Sequence, residues 1–120
     1  MLIAVTAKSS DPESEVDPRF GRAQCFHLID KETGHLTIIE NKENQDLMQG
    51  AGIQTAELIV SKNVEVLLTG HCGPRAFQTL QAAGIKIVVG VEGKVKDILE
   101  NFKQGQYKFT DSPDVRSHWG

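Results

Sequence analysis

Three short runs, Leu2 to Val5, Val64 to Thr69 and Ile85 to Val89, are β-branched and almost continuously apolar. A strand with one face in water alternates apolar and polar residues, whereas a run without alternation is covered on both faces. The chain is therefore expected to build the centre and one side of a largely parallel sheet, with helices above and below. Between the first two runs, Cys25 to Asp30 and His35 to Glu40 mix polar and apolar residues around Lys31-Glu32-Thr33-Gly34. A short connection with Gly near its end predicts a hairpin.

The 3.6-residue period predicts three helices. Val95, Ile98, Leu99 and Phe102 fall at i, i+3, i+4 and i+7, with Gly105 as a left-handed stop. A second helix runs from about Pro74 to Ala83, with Pro at its first position, Phe77 and Leu80 on its inner face and Gly84 closing it. A third, from about Gly52 to Lys62, is expected to bury Ile53, Ala56 and Val60 and to stop at Asn63.

The order is β-β-β-α-β-α-β-α. A meander followed by two crossovers gives an α/β fold with a mixed five-stranded sheet in the order 3-2-1-4-5, strand 2 antiparallel. The right-handed crossover rule puts the first two helices on one face and the last on the other, a three-layer α/β/α arrangement known as the ribonuclease-H-like motif. A chain of 120 residues suits one domain, expected over residues 1–110, with a polar, turn-prone tail at 111–120 held loosely.

Composition narrows the functional classes. The hydrophobic share of 39% and charged share of 24% are ordinary for a globular protein, and no apolar run approaches the ~18 residues of a membrane span. A net charge of −3 gives no footprint for polyanions, so neither nucleic acid nor a membrane is expected as a partner. Met1-Leu2-Ile3-Ala4-Val5-Thr6 reads as a first strand and not as a secretory signal, which places the protein in the cytoplasm. In that compartment Cys25 and Cys72 are expected as thiols.

In such a sheet the segments after strands 1, 3, 4 and 5 meet at one edge, and ligands bind there, at the switch point between strands 1 and 4. Facing each other across it are Asp17-Pro18-Arg19-Phe20-Gly21-Arg22-Ala23 and Gly70-His71-Cys72-Gly73-Pro74. The second places a thiol and an imidazole at a helix start, where unpaired N–H groups and the macrodipole favour negative charge. Arg19 and Arg22 supply cations, and Gly50-Ala51-Gly52 allows a further helix start to approach closely. An anionic ligand that also takes a soft sulfur or imidazole donor suits a metal-sulfur cluster better than a phosphate. A Cys-His pair in a loop is, on spacing alone, more often structural, and no multi-cysteine zinc or iron-sulfur signature accompanies it. Elsewhere, Cys25 and His27 share a face of strand 2 and are expected to be buried against a helix. His35 is expected at the surface, and His118 as a tail residue.

These segments, with Ile3-Ala4-Val5, Gly50-Ala51-Gly52, Leu68-Thr69-Gly70-His71-Cys72-Gly73-Pro74-Arg75-Ala76 and Gly84-Ile85 in order, resemble the dinitrogenase iron-molybdenum cofactor biosynthesis family. That group of small nitrogenase accessory and related domains includes the molybdenum-copper orange protein. The resemblance implies a ribonuclease-H-like fold and a noncatalytic role in binding, carrying or delivering an iron-molybdenum cofactor, its precursor, or another iron-sulfur or molybdenum-copper-sulfur cluster. Cluster-assembly proteins are the implied partners. Arg19, Phe20, Arg22, Gly50, Gly52, Gly70, His71, Cys72 and Gly73 are the candidate binding residues, with Cys72 and His71 as candidate metal ligands.

Two other classes compete. A two-metal nuclease needs carboxylates on the central strands, and Ile3, Ala4, Val5 and Thr6 offer none; a thiol enzyme would pair Cys72 with His71, although neighbours on a loop seldom face one another. The runner-up is a regulatory interaction module with no bound cluster, using Phe20 as an exposed anchor.

Overall fold

The computed structural model describes residues 1–111. Its sheet has five strands, β1 (Leu2–Ala7), β2 (Cys25–Asp30), β3 (Leu36–Glu40), β4 (Val66–Leu68) and β5 (Lys86–Val88), in the order β3-β2-β1-β4-β5. β2 is antiparallel to β1 and to β3, while β1, β4 and β5 are parallel. The helices are α1 (Lys42–Gln45), α2 (Ala51–Ser61), α3 (Pro74–Ala82) and α4 (Val95–Lys103). The expected topology is the observed one, with α1 added where a loop was expected.

The two faces of the sheet are sorted by the period of two. Ala4, Phe26, Leu28, Leu67 and Ile87 point to one side, where Ala56 and Ile59 of α2 and Ala76, Phe77 and Leu80 of α3 cover them. Ile3, Val5, Cys25, Val66, Leu68 and Val88 point to the other, beneath Val95 and Ile98 of α4. Unalternating strands thus became the middle layer of three. On α2 the face differs slightly from expectation: Ala56 is buried, but Ile53 and Val60 are half-buried and Thr55 and Ile59 lie inside instead.

Three helical stops follow the left-handed residues read from sequence, Asn63 (φ 60°), Gly84 (φ 81°) and Gly105 (φ 73°). His27 is buried on the α4 side with its Nε2 2.8 Å from the Ser9 carbonyl oxygen, and His35 is exposed. Beyond Gly105 the chain returns to the sheet, where the Thr110 N–H donates to the Ile87 carbonyl at 2.6 Å. The expected tail, His118 included, lies outside the described residues from position 112 onward.

Candidate functional site

Because β1 and β4 are parallel neighbours, they end at the same edge, and their last hydroxyls meet there. The buried Thr6 hydroxyl donates to the Asp17 carbonyl at 2.7 Å and shares a 3.0 Å hydroxyl–hydroxyl bond with Thr69. The Asp17 N–H returns a bond to the Thr6 carbonyl at 3.0 Å. The Asp17 carboxylate accepts the Arg19 N–H at 3.1 Å, a turn for which Asp before Pro is suited. That turn sets residues 18–20 alongside the segment leaving β4. The His71 N–H donates to the Pro18 carbonyl at 2.7 Å, and the Phe20 N–H to the His71 carbonyl at 3.1 Å, forming a parallel bridge between Arg19 and His71.

Two glycines make the approach possible. A Cβ on Gly70 would lie 2.6 Å from the Pro18 oxygen, and one on Gly21 would lie 2.8 Å from the Gly52 nitrogen and Cα. The close approach expected of the Gly50-Ala51-Gly52 run is realised at Gly52, and Gly50, with φ 75°, adds the turn into α2.

Asn41 ties the remaining wall. It is buried, donates from Nδ2 to the Ala23 carbonyl at 2.9 Å, and accepts from Asn44 Nδ2 at 3.1 Å. The Thr55 hydroxyl is shared between Asn41 Oδ1 and the Gly21 carbonyl, 3.2 Å from each. The 19–23 loop is thereby fixed to the starts of both α2 and α3, whose leading N–H groups face the same edge of the sheet.

The side chains at this edge divide. Arg19 is exposed and His71 half-buried, both on the bridge. Arg22 is half-buried, and its Nη1 donates to the carbonyls of Gln45, at 3.0 Å, and Leu47, at the C-terminal end of α1. Phe20 is not an exposed anchor. It is 0% exposed and meets Phe26 edge-on at 5.6 Å between ring centroids, because the bridge turns its ring under the sheet. Such burial stabilises by roughly 1.5–3 kcal/mol, with about 1 kcal/mol more from the ring pair.

Cys72 is also 0% exposed, in the cluster that holds Ala4, Phe20, Ala76 and Phe77, with Sγ 3.8 Å from the Gly73 carbonyl. The thiol expected at the open edge lies one layer beneath it. Gly73, in extended conformation, precedes α3, and Pro74 opens it. Cys25 is on the opposite face of the sheet from Cys72, and neither is in a disulfide. Burial, with Glu40 and Asp17 adding negative charge, pushes the Cys25 thiol up to about 11. Among the described residues no group of three or more His, Cys, Asp or Glu side chains is placed to hold a metal ion.

Thr6, Asp17, Thr69, Asn41 and Thr55 were not among the residues singled out from sequence. Asp-Pro at 17–18 carried a readable turn signal. The other four act through burial and pairing across distant segments, for which sequence spacing has no mark.

The model of the family described as dinitrogenase iron-molybdenum cofactor matches residues 1–105. The chain belongs to the dinitrogenase iron-molybdenum cofactor family. Among solved structures, it is similar to the apo form of the orange protein from Desulfovibrio gigas, at 42% identity and a TM-score of 0.92, over 95% of this chain and 96% of that one. It is also similar to a Thermotoga protein provisionally named NifB and placed in the DUF35 family, at 31% identity and a TM-score of 0.80, over 95% and 98% of the two chains. An uncharacterized protein of Methanocaldococcus jannaschii is 26% identical over 96 residues, 78% of this chain and 80% of that protein. The Gly70–Pro18 and Gly21–Gly52 approaches lie within the segment that the family model spans. Among the described residues of this family member, no helix is long and apolar enough to cross a membrane.

Proposed function

We propose that the protein is a noncatalytic cytoplasmic carrier that binds an anionic metal-sulfur cluster as cargo and delivers it to a cluster-assembly partner. The observation that carries this reading is the backbone bridge between Arg19 and His71, which pairs a residue bearing a guanidinium with one bearing an imidazole where β1 and β4 end. The starts of α2 and α3 add N–H dipoles to the same edge. A cation, a nitrogen donor and helix starts suit an anion that also takes a ligand. Membership of a family described by the iron-molybdenum cofactor supports the class of cargo.

The donor set favours a cluster that arrives assembled. A resident tetrahedral site takes four protein donors, whereas here His71 is half-buried and Cys72 lies fully inside. In this reading Arg19, Arg22 and the helix starts offset the charge, Gly50, Gly52, Gly70 and Gly73 keep the backbone close, and His71 is the first donor. Phe20 supports the bridge from below. Cys72 becomes a ligand only if the 70–73 loop turns it outward, so its role is the sharpest point to test.

The test is anaerobic addition of molybdate, sulfide and copper(I), or of iron and sulfide, followed by desalting and metal analysis. Wild type retains a chromophore, and His71→Ala with Arg19→Ala loses most of it. Equal retention by wild type and the double variant overturns the site. Retention unchanged in Cys72→Ser removes the thiol from the ligand set.

A further inference from the structure

The 42–50 segment is fastened to the molecule unevenly. Before it, Asn41 is buried and bonded to Ala23, Asn44 and Thr55. After it, Gly50 turns into α2 with a left-handed φ of 75°. In between, α1 has four residues and buries none of them, and Met48 beyond it is 94% exposed. A helix of one turn has no stability of its own. Its backbone bonds are local: the Gln45, Asp46 and Leu47 amides donate to the Asn41, Lys42 and Asn44 carbonyls. The Arg22 guanidinium, donating to Gln45 and Leu47, joins the far end of the segment to the 19–23 loop.

Both acceptors of Arg22 are neutral carbonyls, and an anion is the stronger acceptor for a guanidinium. Arg22 lies two residues along the loop from Phe20, whose N–H is bonded to His71. The loop that carries the Arg19–His71 bridge thus also carries the side chain that holds the carbonyls of the segment.

We propose that Arg22 is a latch: in the empty protein it fastens residues 42–49, and anionic cargo draws its guanidinium away, so that loading the site releases the segment. The proposal rests on the reading of that edge as a cargo site. Release moves Leu47 and the α1 turn, so the loaded state is displayed on a surface beside the cargo, where a receiving protein can sense it.

Amide exchange followed by NMR tests the latch, reading the Gln45, Asp46 and Leu47 amides with and without molybdate, sulfide and copper(I), while cargo retention is measured separately by the desalted chromophore. In wild type, loading accelerates these amides about tenfold, the scale expected when bonds to a charged donor are lost. In empty Arg22→Gln they already exchange at the loaded rate, while the amides of β1 and β4 keep wild-type protection. Retained cargo with unchanged or slower exchange overturns the latch and leaves the carrier standing. Slow exchange in empty Arg22→Gln overturns it as well. Failure of wild type to retain cargo overturns the carrier and the latch together.

Discussion

Gly70 passes so close to Pro18 that a single added Cβ would fall 2.6 Å from the Pro18 carbonyl oxygen. The bond from the His71 N–H to that same oxygen, at 2.7 Å, depends on the approach. Gly70→Ala is therefore expected to push the two segments apart and to destabilise the fold by about 1–3 kcal/mol, read as a lower urea midpoint. The same substitution at Gly84, with no atom within 4 Å of the added Cβ but a φ of 81°, strains only its own backbone, so cargo retention should fall at Gly70 and hold at Gly84.

Asn41 is a buried hub with partners on the 21–24 loop, α1 and α2. Asn41→Ala leaves the Ala23 carbonyl and Thr55 hydroxyl short of a partner in a buried place, which costs about 2–3 kcal/mol. Asn41→Asp keeps the acceptor but sets a carboxylate oxygen against the Ala23 carbonyl in a buried place, so at neutral pH its urea midpoint is expected at or below that of Asn41→Ala.

Cys72 is closed to solvent, so its alkylation requires local opening. In native protein at neutral pH, iodoacetamide should label it many times more slowly than in urea, as read by mass spectrometry. Rapid native labelling would show that the 70–73 loop already turns the thiol outward, which is the movement that ligation by Cys72 requires.

Cys25 gives a pH dependence with a definite sign. Its folded-state thiol titrates at about 11 against an ordinary value of 9.0, so above pH 9 the unfolded chain loses this proton first. The stabilisation is complete below pH 9 and is lost as the pH rises towards 11, by at most about 2–3 kcal/mol. Cys25→Ala should remove that part of the alkaline loss, so its urea midpoint should fall less than that of wild type between pH 8 and pH 10.5.

Much of this was legible in the chain. The unalternating runs at Leu2, Val64 and Ile85, the helical spacing of Val95 to Phe102 and the left-handed stops at Asn63, Gly84 and Gly105 are local signals, each set by a few neighbouring residues. Together with the handedness of crossovers they determined the sheet order, the helix on each face and the edge where Arg19 meets His71. Only the tertiary structure decided where the side chains of that edge point. Loops have no period, so nothing in the spacing of Phe20, Arg22 and Cys72 tells an outward side chain from an inward one. The bridge between Arg19 and His71, far apart in the chain, turned Phe20 into the core, the contact of α3 with the sheet took Cys72 with it, and the carbonyls at the end of an unforeseen helical turn claimed Arg22.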